Sequence, residues 1–406
     1  MKPSGQKILF IFTLVLSIAV LLGTGLAYKT RLLELWYLSR LDSPADEVRS
    51  RAATELGKMR SRDAIAPLIT LLQSVSRDAD LSDLESNDLH FSAKALIAIG
   101  EPSVPALCRL LDDENPGHRL QAARIIRKLG ARAASAAPHL GSRLLDPSPP
   151  VQRMAILALA EIGPPASVAV PDLLDLLSDP RGRDWTHFTC RALQRIGLQP
   201  EAVPALCKAL KHMDHHNWEM PRNSASTNDN VVDLLGNLGP AAKDSIPALA
   251  QCLEERKSIV LILRALGNMG PASKAALPGL LKAIEHAGVE EFSSSTSRDE
   301  YSTRCLKMGR MIEEAAAACL EKIGLEDGEC LAAIELAVLD PTNHNVWGKK
   351  ALVDVLGLLG QDARDSIPTL NKLLEELSAR SFPKRSGEEV LLEATRKAVE
   401  SIHVEN

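Results

Sequence analysis

Beyond residue 44, apolar residues recur at three- and four-residue steps, as in Val151, Met154, Ala155, Ala158, Leu159 and Ile162. That period lays one greasy stripe along an α-helix. The stripe ends at Gly163, and a second one, Val170, Leu173, Leu174 and Leu177, opens around Pro171. The pattern predicts two antiparallel helices that share one apolar side.

The same punctuation returns along the chain. Leu129-Gly130, Ile162-Gly163, Leu238-Gly239, Met269-Gly270 and Leu359-Gly360 each end an apolar run, and a proline stands eight residues after each glycine: Pro138, Pro171, Pro247, Pro278 and Pro368. Looser copies pair Gly57, Gly100 and Gly197 with Pro67, Pro105 and Pro204, and a degenerate copy at Gly324 lacks the proline. Glycine takes a left-handed conformation that ends a helix without a Cβ clash. Proline is tolerated at a helix start, where its missing N–H has no partner to lose. One hairpin alone cannot cover its apolar side, so the units are expected to stack, about nine of them. Ser43-Pro44-Ala45-Asp46 reads as the cap of the first helix, and Glu388 to Ile402 as a terminal cap helix.

These hairpins resemble HEAT repeats, in particular the bacterial HEAT-like repeats related to phycobilisome-lyase repeats. The likeness rests on the Leu-Gly-Pro turn, the Val/Ile-Pro start of the second helix, and the Asp-Pro after it (Asp146-Pro147, Asp179-Pro180, Asp340-Pro341). It implies an all-α, right-handed solenoid over residues 44–406, in a family dominated by scaffolds and adaptors. It also brings two enzymatic relatives. The deoxyhypusine hydroxylase type holds di-iron on His-Glu dipeptides, and no histidine here is followed by glutamate. A bilin-lyase role has no motif that matches residue by residue.

The N-terminus reads differently. Lys2 and Lys7 precede an uncharged apolar run from Ile8 to Leu22 that continues to Ala27. Twenty such residues, at about 1.5 Å each, just cross a hydrocarbon core of roughly 30 Å. Gly25 and Ala27 also fit a cleaved secretory signal, so both readings stand. Tyr28, Trp36 and Tyr37 beside the run favour a retained anchor, as interfacial aromatics do. The expected organisation is therefore an anchor at 1–30, a juxtamembrane helix at 31–43 and the repeat array from 44. The localisation expected with it is a single-pass membrane protein with an extracytoplasmic body. A cytoplasmic body, or secretion after cleavage, are the alternatives.

Composition narrows the function. A net charge of −5 and an aromatic fraction of 3% leave neither a basic footprint nor stacking platforms for nucleic acid. Seven cysteines, with no Cys-x-x-Cys, mostly occupy apolar helical positions and read as small buried hydrophobes. No phosphate loop, Gly-x-Ser-x-Gly elbow or zinc-finger spacing is present. One cluster has ligand chemistry: His212, His215, His216 and Glu219, with Asp214 among them. It falls at a helix end and in the loop before Pro221, which favours a solvated loop over a metal site, and no cofactor is expected.

Two surfaces are candidates for a protein partner. Insertions at Val75–Leu89, Asp214–Asn228 and Gly288–Arg298 each follow a second helix, so they are expected on one edge; the first is acidic, with Asp80, Asp83 and Glu85. Four residues past the proline of the second helices stand Arg109, Asp175, Lys208, Gln251, Lys282 and Lys372. The basic members, Arg109, Lys208, Lys282 and Lys372, suit an acidic partner, whereas a solvated helix face explains them as well. The sequence thus reads as a membrane-anchored repeat scaffold for an unidentified protein partner, with neither catalytic residues nor a small-molecule substrate. The alternative is a HEAT-fold enzyme or chromophore-lyase-like accessory.

Overall fold

The computed structural model describes residues 28–76, 89–179, 185–212, 227–255, 258–285, 300–324, 328–340, 345–379 and 387–403. Among them there are helices and no strand. The chain divides into two compact units, one reaching to Leu176 with Arg195–Gly197, the other taking Leu177–Gln194 and everything from Leu198.

In the first unit α1 (28–40) precedes the hairpins α2 (Asp46–Lys58) with α3 (Ile65–Ser76), α4 (Phe91–Ile99) with α5 (Val104–Leu111), and α6 (Pro116–Leu129) with α7 (Ala137–Ser142). These are followed by α8 (Pro149–Ile162) and most of α9 (Val170–Ser178). First helices of successive hairpins lie side by side, α2 on α4 and α6 on α8. The core between the two helix layers is Leu and Ala with little else: Leu56, Leu68, Leu96, Leu107, Leu120, Ile126, Leu140 and Leu159 are all fully buried. Each such side chain removed from water contributes about 1.5–3 kcal/mol, so a core with few aromatics is sufficient.

In the second unit α10 (Thr186–Ile196) pairs with α11 (Val203–His212), α12 (Thr227–Leu238) with α13 (Ile246–Glu254), and α14 (Ile259–Met269) with α15 (277–285). Then come α16 (Glu300–Ile323) with α17 (Glu329–Leu339), α18 (Val346–Leu359) with α19 (Ile367–Ser378), and the closing α20 (Gly387–His403). Here too α12, α14, α16, α18 and α20 pack side by side in order. Gly357 of α18 faces Ala398 of α20 so closely that a Cβ on the glycine would sit 3.2 Å from the Ala398 Cα. The terminal helix therefore seals the last hairpin, as its charged outer surface suggests.

The turns follow the expected grammar with one refinement. Gly130, Gly163, Gly239, Gly270 and Gly360 all have φ between +53° and +72°. Where they end α6, α8, α14 and α18, ψ lies between −126° and −145°, not in the left-handed helical well. That mirror-image extended region is still more restricted to glycine. After it a tight 3₁₀ turn runs straight into the second helix, and the proline takes one of that helix's first positions in α5, α7, α13 and α19. Buried serines close these turns: Ser245 Oγ donates to the Ala242 carbonyl at 2.7 Å and Ser273 Oγ to the Leu266 carbonyl at 2.7 Å.

Two expectations need correction. The first repeat helix starts at Asp46, with Ala45 at the capping position and no side-chain cap. Ser43 sits too early for that role, and its hydroxyl instead accepts from the Ala45 N–H at 3.3 Å. The single-pass membrane localisation is overturned: among the described residues no helix is long and apolar enough to cross a membrane. The run from Ile8 to Ala27 on which it rested lies outside the described residues. The adjoining α1 is held to the first hairpin by Glu34 on Ser61 and by Arg31 on Asp63 at 2.7 Å, with Leu41 buried beneath it.

Candidate partner-binding surface

Three first helices share one device at their start. Arg49, Arg119 and Lys349 each stand fourth in a first helix. All three turn back to the preceding loop: Arg49 Nη1 donates to the Ser43 carbonyl at 2.6 Å, Arg119 Nη1 to those of Asp113 and Glu114 at 2.9 and 2.8 Å, and Lys349 Nζ to that of Asp340 at 2.7 Å. A cation beside orphan carbonyls fixes the loop and the entry of the next helix together. Partial burial pushes the Lys349 ammonium below its ordinary range, and the nearby Asp340, Glu376 and Glu285 carboxylates oppose this.

Asp113 is the other fixture at such a start in the first unit. Its carboxylate accepts from the Asn115 N–H at 2.9 Å and from the Gln73 amide at 3.2 Å, and lies 3.0 Å from His118 Nδ1. His118 Nε2 is 3.0 Å from the Gln73 carbonyl, so residues of three successive hairpins meet here. The sequence carried no signal for this cluster, because its members are 40 and 45 residues apart in the Gln73–Asp113 and Gln73–His118 pairs.

The predicted row on the second helices is exposed throughout: Arg109, Asp175, Lys208, Gln251, Lys282 and Lys372 all face solvent. Its charge is less uniformly positive than the sequence pattern implied. Lys282 Nζ lies 3.2 Å from Glu254 of the preceding hairpin. Near Arg109, Asp112 is flanked by Arg143 at 3.3 Å and His139 at 3.6 Å. The row is a mixed-charge surface with basic points.

α3 ends at Ser76 and α4 starts at Phe91, α11 ends at His212 and α12 starts at Thr227, and α15 ends at residue 285 and α16 starts at Glu300. Asp80, Asp83 and Glu85 lie outside the described residues, as do His215, His216 and Glu219; His212 is the last residue of α11. Among the described residues no group of three or more His, Cys, Asp or Glu could hold a metal ion.

A groove that the sequence did not announce opens between α16, α18 and α20, with a volume of about 490 Å³. Its acids and bases answer one another: Lys350 meets Asp354 at 2.7 Å and Lys397 meets Glu393 at 2.8 Å. The Glu393 carboxylate holds the Lys397 ammonium above its ordinary range through their hydrogen bond and charge, and is itself held below its own. Leu358 adds an exposed apolar contact to the wall.

This geometry agrees with the family comparisons. Residues 137–217 match the HEAT repeats family, and residues 48–74 match the PBS lyase HEAT-like repeat. Both stretches are HEAT repeats. No curated protein matches the sequence. Solved structures that resemble this HEAT-repeat chain include an engineered protein, 18% identical with a TM-score of 0.40, covering 91% of this chain and 98% of that one. A chain from a study of the interaction between cadherin and β-catenin is 12% identical with a TM-score of 0.42, covering 90% and 80%. Importin beta is 14% identical with a TM-score of 0.40, covering 93% of this chain and 53% of its own length.

Proposed function

We propose that this HEAT-repeat chain is a scaffold that binds a protein partner along the exposed face of its second helices. The observation that carries this reading is the row itself. Arg109, Asp175, Lys208, Gln251, Lys282 and Lys372 stay in solvent, while two residues before each of them Leu107, Leu173, Leu206, Leu249, Leu280 and Leu370 of the same helices are fully buried. A stack of hairpins covers its core by burying one side of each helix and leaves the other side polar and uncommitted, which is how such arrays present binding surfaces. Arg109 in the first unit, and Lys208 and Lys372 in the second, supply basic points on these helices, and the insertion that carries Asp80, Asp83 and Glu85 is acidic in sequence. The partner in this reading is a protein with acidic segments, engaged over several hairpins and not in a single pocket.

The test is affinity capture with the full-length chain, followed by titration calorimetry with the purified captured protein. The R109E/K208E/K372E variant is expected to keep its helical signal and melting behaviour while losing roughly tenfold or more in affinity, about 1.4 kcal/mol. A second variant lacking residues 77–88 measures the share of the acidic insertion. Unchanged affinity in the charge-reversed variant, at unchanged stability, would overturn the assignment of the partner to this face.

A further inference from the structure

We draw no further inference here: the strongest candidate, the exposed apolar surface of α1 formed by Tyr28, Leu32, Leu33, Leu35 and Trp36, carries nothing because nothing in the structure shows what covers it.

Discussion

Arg119 and Asp146 form a two-pronged ion pair in the interior of the first unit: Nε donates to Oδ2 and Nη2 to Oδ1, each at 2.8 Å. The Asp146 side chain is fully buried and that of Arg119 almost so. The remaining prong of the guanidinium reaches the carbonyls of Asp113 and Glu114, while Asp146 Oδ1 also accepts from the Ser148 N–H at 2.9 Å. One cation thus joins the loop before α6 to the loop before α8. A repeat array has no closed core to hold its loops in register, and this pair does so locally.

Breaking the pair on one side strands a buried charge. Asp146→Leu alone is expected to destabilise the first unit by about 3–5 kcal/mol, and Arg119→Met by a similar amount. The double variant should recover much of the loss, since an apolar pair of similar volume needs no compensating charge. Urea unfolding of the three variants and the parent gives the cycle. A double variant as unstable as the sum of the singles would mean that the backbone contacts of Arg119, not the ion pair, dominate.

The closing helix depends on a missing side chain. With Ala398 Cα and Cβ 3.2 and 3.3 Å from where a Gly357 Cβ would stand, Gly357→Val drives a branched group into helix backbone. Overpacking of this kind costs about 1–3 kcal/mol, and α20 is the element able to move. Limited proteolysis should then cut the C-terminal helix of the variant well before the parent. Equal cleavage rates would show that α18 and α20 tolerate separation.

These two sites mark what could be read beforehand. Hairpins, turn glycines and helix-start prolines were legible because each obeys a local rule: a 3.6-residue stripe, a positive φ, a missing N–H. Gly163 and Pro171 say all of this within nine residues. Arg119 and Asp146 were not legible as partners, because 27 residues separate them and only stacking brings them together. The groove between α16, α18 and α20 is hidden for the same reason. Ser43 misled because its sequence fits a capping box, whereas the helix starts at Asp46 and the Ser43 carbonyl is taken by Arg49. The basic row was reached by counting from the prolines, and that count passes over Glu254 on the neighbouring α13, 3.2 Å from Lys282, and Asp112 at the end of α5 itself.

Thiol chemistry offers a direct check on burial. Burial pushes the thiols of Cys190 and Cys319 up to about 12. At pH 8 only about one molecule in ten thousand then carries the reactive thiolate at either site. Iodoacetamide at that pH should leave both unmodified in the native protein for hours and alkylate them promptly in urea, as peptide mass spectrometry would record. Cys207, which is half-buried, should label ahead of them. Rapid native alkylation of Cys319 would mean that α16 parts readily from α14, whose Gly267 lies against the Cys319 backbone.

The Asp113 cluster makes the first unit sensitive to acid. Burial alone would raise this carboxyl, but the Asn115 N–H, the His118 ring and the Gln73 amide together outweigh it and hold Asp113 below the ordinary 3.8. A carboxyl whose folded value is depressed binds its proton more readily in the unfolded chain. Its contribution is therefore complete above the ordinary carboxylate range and disappears as the pH falls through the folded value. Asp113→Asn removes the charge at every pH, so the parent should melt higher than the variant at about pH 6, with the gap narrowing as the pH falls below the ordinary carboxylate range. Differencing parent and variant cancels the other carboxylates, which titrate in both. Melting curves across that range check it, with hydrogen exchange of α3 and α6 locating the loss at the junction of Gln73, Asp113 and His118. A gap that stays constant with pH would mean that the three donors stabilise the loop through shape alone and not through the charge of Asp113.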